Sequence, residues 1–250
     1  MISDDYKASV LKALRNDLEY YRGIGRQYLS NSDIGTLLSN PHMYGRYRED
    51  GKALAEGRYF HQLLLEPHKA VDIPYVDVST RTTEKYRTYI KDNKLEYAML
   101  LKEKQEIERL ADTMKRNIVF FDEIYKDGNS YEEPMIGVIK GMQWKGKADI
   151  LTNEFIIDLK TSSDINKFKY SAKAYNYDSQ CYIYQQLFGR PLIFFVIDKL
   201  TGQLGIFRPT EEFVRGGEAK VEKAVAIYNK YFGDNPTDNI SNHYIDETLV

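Results

Sequence analysis

Three residues carry the first chemical signal: Asp149, Asp158 and Lys160. Asp149 closes the stretch Gly146-Lys147-Ala148-Asp149. Asp158 and Lys160 follow the apolar run Phe155-Ile156-Ile157, within Asp158-Leu159-Lys160-Thr161. Successive side chains of an extended chain alternate, so Asp158 and Lys160 share one face and Leu159 takes the other. Two carboxylates offer hard oxygen ligands to Mg²⁺. The metal lowers the pKa of bound water and neutralises charge on a phosphate. A lysine beside it can orient the water or stabilise the charge that develops. Together these are the requirements of phosphodiester hydrolysis. An isolated Asp-x-Lys is also an ordinary surface pair, worth under about 1 kcal/mol. The two aspartates stand at the ends of successive strands, and such ends converge only if the strands are offset or bent.

Other residues extend the set. Tyr131-Glu132-Glu133-Pro134 supplies a further carboxylate at the start of the preceding strand, and either glutamate can face the site. Gln180 and Tyr184 stand at i and i+4 and share a helical face. His61, in Gly57-Arg58-Tyr59-Phe60-His61, is a lone histidine in an otherwise apolar helix, either a core residue or a ligand. From Lys140 to Lys173 there are seven lysines against four acids, two of them the proposed ligands. A basic rim around an acidic centre would attract backbone phosphates while holding metal. Arg46, Arg48, Lys52 and Arg58 could extend that rim.

These residues need elements to position them. Apolar spacing predicts helices over 3–22, within 28–38 and over 51–66, the second beginning near Asp33 with Ser32 as its cap and stopped by Asn40-Pro41, the third ended by Pro67. A short strand follows at 73–78. The segment 82–117 is helical in period, with a break near Asp92-Asn93. The middle of the chain changes to β-formers: strands at 131–139, 142–149 and 154–159, with a hairpin turn at Lys140-Gly141. A long helix over 167–188, strands at 192–198 and 204–208, and a helix capped by Thr210 and running to about Phe232 complete the order. The expected fold is α/β, a mixed central β-sheet flanked by helices, with a mostly helical portion over 1–125. The catalytic core spans 126–232, and a polar tail over 233–250 is expected to be loose, all within one domain.

The bulk composition sets limits. The chain has 250 residues, 42% hydrophobic and 29% charged, which suits a globular domain with a sizeable core. The net charge of −2 does not suggest a nucleic-acid binder, but carboxylates that hold metal lower the total without opposing DNA binding. A single cysteine, Cys181, excludes an intramolecular disulfide framework, a four-cysteine zinc site and a four-cysteine iron–sulfur cluster. The N-terminus lacks an apolar signal core, and no apolar run approaches the roughly 20 residues of a membrane span. A soluble protein of a reducing, cytoplasmic compartment is expected. The 21 tyrosines suit core and interface packing, and stacking on bases is a further option.

In this order, Asp149, Asp158-Leu159-Lys160 and Gln180-x-x-x-Tyr184 resemble the PD-(D/E)XK nucleases of the RecB type, with a restriction-endonuclease-like core. Ser30-Asn31-Ser32-Asp33, Gly57-x-x-x-His61 and Lys160-Thr161-Ser162-Ser163-Asp164, with Phe168 and Tyr177, look like the phage and prophage exonuclease VIII, or RecE-like, branch. The resemblance runs from about residue 28 to 208. It implies that His61, Asp149 and Asp158 ligate Mg²⁺ (Mn²⁺ may substitute), with the Leu159 carbonyl as a further ligand. It makes Lys160 the catalytic lysine and matches Glu132 to the acidic residue before the hairpin. Gln180, Tyr184, Lys147 and Thr161 would bind DNA or support the site. Members often carry arginine where this chain has Lys147, which keeps the charge and loses the bidentate geometry. The implied activity is 5′-to-3′ exonuclease action on linear double-stranded DNA in phage-type recombination or repair. A single-strand annealing protein and a ring-shaped homo-oligomer are the implied partners. A structure-specific DNA endonuclease, or a non-catalytic nucleic-acid-binding module with a decayed site, are the alternatives.

Overall fold

The computed structural model describes residues 4–46, 50–246 and 248; Arg48, proposed for the basic rim, lies outside them. Helix α1 (Asp4–Leu14) and helix α2 (Asp17–Tyr21) replace the single helix predicted over 3–22. The break falls at Asn16, whose side chain accepts the Leu18 and Glu19 amides and so caps the second helix. Helix α3 (Asn31–Ser39) starts from Ser30 rather than the expected Ser32. Asp33 accepts both the amide and the hydroxyl of Ser30 at 2.8 Å, which fixes the earlier start. Helix α4 (Lys52–Leu65) carries His61, and Pro67 both ends it and opens the short α5 (Pro67–Ala70).

The strand expected at 73–78 shortens to β1 (Tyr75–Val76), which pairs in parallel with β2 (Met99–Leu100). Helix α6 (Glu84–Asp92) ends at the break expected near Asp92-Asn93, and the second strand then separates it from α7 (Leu101–Arg116). Ala98, Met99 and Leu100 are buried in succession, a short apolar run that periodicity alone cannot tell from a helical face. The Asn117 side chain then caps α8 (Ile118–Ile124).

The main sheet holds β3 (Ser130–Ile139), β4 (Met142–Leu151), β5 (Ile156–Ser162), β6 (Leu192–Asp198) and β7 (Leu204–Phe207), in that order. Lys140 and Gly141 both adopt positive φ, 50° and 78°, so the β3–β4 hairpin is the two-residue kind whose twist matches its strands. Strands β5 and β6 are parallel and need a crossover, supplied by α9 (Phe168–Ala174) and α10 (Tyr177–Phe188). The single helix predicted over 167–188 is divided at Asn176, which sits at φ 58°, a conformation asparagine tolerates. Asn31 donates to its carbonyl at 3.1 Å and Lys220 to its side chain at 2.9 Å. Helix α11 (Glu211–Tyr231) begins at Thr210, whose hydroxyl accepts the Phe213 amide.

Both faces of the sheet are covered, so its inner strands are apolar on both sides. Helices α3, α10 and α11 lie over one face, around Ile156, Phe194, Val196 and Ile183. Helices α4, α7 and α8 lie over the other, around Ile157, Leu159, Phe195 and Phe60. Each such side chain contributes about 1.5–3 kcal/mol by leaving water. Helices α10 and α11 approach so closely that a Cβ at Gly217 would stand 2.0 Å from the Asp178 carbonyl oxygen. The segment after Gly233, expected to be loose, folds back. The Thr237 and Asp238 amides reach the Lys230 carbonyl at 3.1 Å, and the His243 ring packs on Tyr231 and His42. Among the described residues no helix is long and apolar enough to cross a membrane.

Candidate active site

The site forms where β4 and β5 part. Their antiparallel pairing covers only Ile150 with Ile157 and Leu151 with Ile156. Beyond it the strands splay, and the Asp149 carboxylate fills the gap by accepting the Leu159 amide at 2.8 Å. This answers how two strand ends can bring acids together: a side chain replaces a missing ladder bond. On the other side of β4, the register pairs Tyr131 with Ile150 and Glu133 with Ala148, so Glu132 faces Asp149. Like charges directly opposite are destabilising in a sheet. Glu132 also adopts φ 49°, a left-handed conformation inside a strand, and such strain gathers at functional sites. The choice between the two glutamates is thereby resolved in geometry. Glu133 turns away to Arg15, at 2.6 and 2.7 Å.

Helix α4 brings His61 over this pair. Its Nε2 lies 3.0 Å from the Leu159 carbonyl oxygen. Its Nδ1 lies 3.5 Å from Asp149 Oδ1 and 3.9 Å from Glu132 Oε1. Ligand atoms of His61, Glu132 and Asp149 all fall within 4.8 Å of one another. Burial, then the Asp149 charge, pushes the Glu132 carboxyl up to about 7, with His61 and Lys147 opposing. Burial also raises the Asp149 carboxyl; Asp158 adds to this, while His61, Lys160 and the Leu159 amide work against it. Two facing carboxylates that resist ionisation, one buried and one half-buried, one imidazole and a carbonyl oxygen make a donor set that fits a hard divalent cation. The charge of the cation would remove the repulsion that raises both acids.

Asp158 stands outside that cluster and is held differently. It is 2% exposed. Gln180 Nε2 donates to its Oδ1 at 2.5 Å. Lys160 Nζ lies 2.5 Å from its Oδ2 as an ion pair. Burial disfavours the Lys160 charge, but Asp158, Tyr177 and Asp149 outweigh it and hold the ammonium above its ordinary range. The Tyr177 ring lies 4.9 Å from the same ammonium. Asp158 and Lys160 belong to the same site as the cluster, since both act on the ionisation of Asp149.

Among the residues expected to bind DNA or support the site, several turn inward. Tyr184 bridges Lys147 by its hydroxyl, accepting the amide at 3.3 Å and donating to the carbonyl at 3.0 Å. Its ring packs on Gly146, where a Cβ would meet it at 3.0 Å. The Lys147 ammonium is buried against Asp17 Oδ1 at 2.7 Å and over the Tyr20 ring at 4.6 Å. Thr161 alternates with Lys160 along β5 and lies in register with Ile197, on the opposite face. The proposed rim also thins. Lys140 pairs with Glu218 and Glu222, Lys52 with Glu56 and Glu103, and Arg58 with Asp50; Arg46 remains exposed. Asp17 and Tyr20 on α2 were not legible as site neighbours. Nothing local in the sequence links them to Lys147, and only the packing of α2 does so.

Residues 39–228 match the family described as a PDDEXK-like domain of unknown function, DUF3799. No curated protein matches the chain. Among solved structures, a protein of Eubacterium rectale named "Putative exonuclease" is similar in fold. Its TM-score is 0.61 at 18% identity, over 94% of this chain and 96% of that one. The crystal structure of SSO0001 aligns over 66% of this chain and 84% of its own, at 15% identity, with a TM-score of 0.29 that carries no weight.

Proposed function

The chain belongs to the family of PDDEXK-like domains DUF3799, and with it to the PD-(D/E)XK nuclease superfamily; on that premise we propose that it is a Mg²⁺-dependent exonuclease of linear double-stranded DNA. The proposed polarity is 5′ to 3′, which leaves the 3′ single strands that a single-strand annealing protein takes up in phage-type recombination. The observation that carries the reading is the row of acids across the splayed strands, Glu132, Asp149 and Asp158, with Lys160 beside it. His61, Glu132 and Asp149 would hold the cation, with Asp158 and the Leu159 carbonyl as further oxygen donors at the same opening. A divalent cation supplies Lewis acidity toward the phosphate and acidifies water. Lys160 is held protonated, so it serves as a hydrogen-bond donor and positive charge toward the developing anion, not as a base. Gln180 fixes the rotamer of Asp158, and Asp158 in turn aims the lysine. Tyr184 braces the strand that delivers Asp149.

The test is gel analysis of linear duplex labelled at its 5′ or 3′ ends, beside a closed circle, with Mg²⁺ or EDTA. Release of 5′-terminal nucleotides from the linear duplex in Mg²⁺, with the circle intact, is the expected result. Full activity in EDTA would remove the metal from the mechanism. Cutting of the closed circle would make the enzyme an endonuclease, and no hydrolysis with any divalent cation would leave a binding module.

A further inference from the structure

The surface beside the site carries a strip of exposed rings and lysines that the hydrolytic centre does not use. It starts at Lys160, whose ammonium lies 4.9 Å from the Tyr177 ring. Tyr177 meets the Tyr175 ring at 5.8 Å, and Tyr175 is 65% exposed. On α9, Tyr170 is 69% exposed, with Lys169 Nζ 4.8 Å from its ring centre. Lys167, Lys169 and Lys173 are all exposed on this strip, and α9 holds no acidic residue. Lys167 pairs only with Asp164, at 3.1 Å, while Lys169 and Lys173 make no ion pair among the described residues.

Packing does not require this arrangement. The buried side of α9 is occupied by Phe168 and Ala172, which belong to the core with Phe194 and Phe207. Tyr170 and Tyr175 point the other way and leave large apolar faces in water. The turn that presents Tyr175 is itself built: Asn176 takes a left-handed conformation, fixed by Asn31 and by Lys220, which also donates to the Lys173 carbonyl at 2.7 Å. Elsewhere in the expected rim Lys52 and Lys140 pair with glutamates and Lys147 and Lys160 with aspartates, so among the described residues exposed positive charge remains chiefly on this strip and at Arg46.

We propose that the exposed surface of α9 and the turn after it, carrying Tyr170, Lys173 and Tyr175, binds single-stranded DNA next to the hydrolytic centre, its tyrosine rings stacking on unpaired bases and its lysines contacting the phosphates. Rings interleaved with cations are the general solution for holding single strands, because every base has a π-face and every nucleotide a charge. A duplex would use the lysines and leave the rings idle, since its bases are already stacked. An acidic protein would likewise need only the lysines. Two exposed rings therefore favour the single strand. The proposal rests on the nuclease reading and names the strand state that the same site handles.

The test is fluorescence anisotropy of 5′-fluorescein-labelled dT12 in Ca²⁺, on wild type, Tyr170→Ala/Tyr175→Ala, Tyr170→Phe/Tyr175→Phe and Lys169→Gln/Lys173→Gln. Thermal melting confirms that each variant folds. The alanine pair is expected to weaken binding at least about tenfold, since each stacked base contributes about 1–3 kcal/mol. The phenylalanine pair should stay within about twofold, because stacking needs the ring and not the hydroxyl. The lysine pair should lower the salt dependence of binding. Equal affinity of wild type and the alanine pair overturns the proposal, as does a loss in the phenylalanine pair as large as in the alanine pair. Failure of the nuclease reading looks different: wild type would then leave linear duplex intact in Mg²⁺ while still binding dT12.

Discussion

Asp158, buried, and Glu132, half-buried, are carboxylates of the same sheet on either side of β4, and their surroundings differ sharply. Asp158 has an amide donor in Gln180 and a cation in Lys160. Glu132 faces another carboxylate, adopts a strained backbone, and has His61 and Lys147 to offset the repulsion only in part. One half of the site is complete within the protein. The other is electrostatically frustrated when both acids are ionised, and a proton or a cation relieves it. On the proposed reading the difference divides the labour: the frustrated half would supply most of the metal ligands, while the satisfied half keeps a charged lysine in place beside Asp158.

If that division is right, substitutions in the two halves fail in different ways. The largest effect is expected from Asp149→Asn, which removes a charge from the cluster and leaves one side-chain oxygen to serve both the Leu159 amide and the cation. Single-turnover cleavage should fall by more than the about 10²–10³-fold typical of losing one preorganised electrostatic group. A loss under tenfold would mean that Asp149 is structural. Lys160→Ala should lose about 10²–10³-fold in rate while binding metal as well as wild type, or slightly better, because a nearby positive charge is gone. Wild-type cleavage by this variant would make the lysine a surface charge. Gln180→Ala, which removes the donor to Asp158, should lose about 10–100-fold, with metal affinity changed less than rate. Equal losses in both would place Gln180 beside the ion.

The frustrated half also has a pH signature. The folded-state pKa of Glu132, about 7, lies above its ordinary 4.5. Between those values the folded protein binds more protons than the unfolded chain, so metal-free stability should fall as pH rises through the window. Above pH 7 the loss should reach up to about 3 kcal/mol. Thermal melts in chelator from pH 5 to pH 8 should show this decline in wild type and a flatter profile in Glu132→Gln. Identical profiles would remove the repulsion argument. The smallest effect is expected from Tyr184→Phe, which loses one hydroxyl that bridges the Lys147 backbone, at about 0.5–1.5 kcal/mol of stability. A catalytic loss from this variant as large as that of Lys160→Ala would give Tyr184 a role in the chemistry.

Much of the sheet was legible, because its signals are local. The Lys140-Gly141 turn and the apolar runs around Ile156 and Phe194 fix strands without help from the rest of the chain. The helical segments misled where one asparagine starts a new element inside a continuous period, by a side-chain cap at Asn16 and by a left-handed backbone at Asn176. Periodicity does not register a side chain that hydrogen-bonds its own backbone. In the site, the pairing of Asp158 with Lys160 follows from strand alternation. The facing of Glu132 and Asp149 does not, since it needs the hairpin register and the local left-handed turn. Charge was the least legible property. Lys147 and Lys140 read as a phosphate-binding rim, but Asp17 and the glutamates of α11, far away in sequence, neutralise them.

The central claim is that His61, Glu132 and Asp149 hold the cation and Lys160 acts beside it. Calorimetric titration of Mg²⁺ into the DNA-free protein tests it most directly, with wild type, His61→Ala, Asp149→Asn and Lys160→Ala compared under one buffer. Saturable binding by wild type and Lys160→Ala, with at least tenfold weaker binding by His61→Ala and Asp149→Asn, is the predicted result. Unchanged affinity in His61→Ala and Asp149→Asn, with all variants folded, would contradict it.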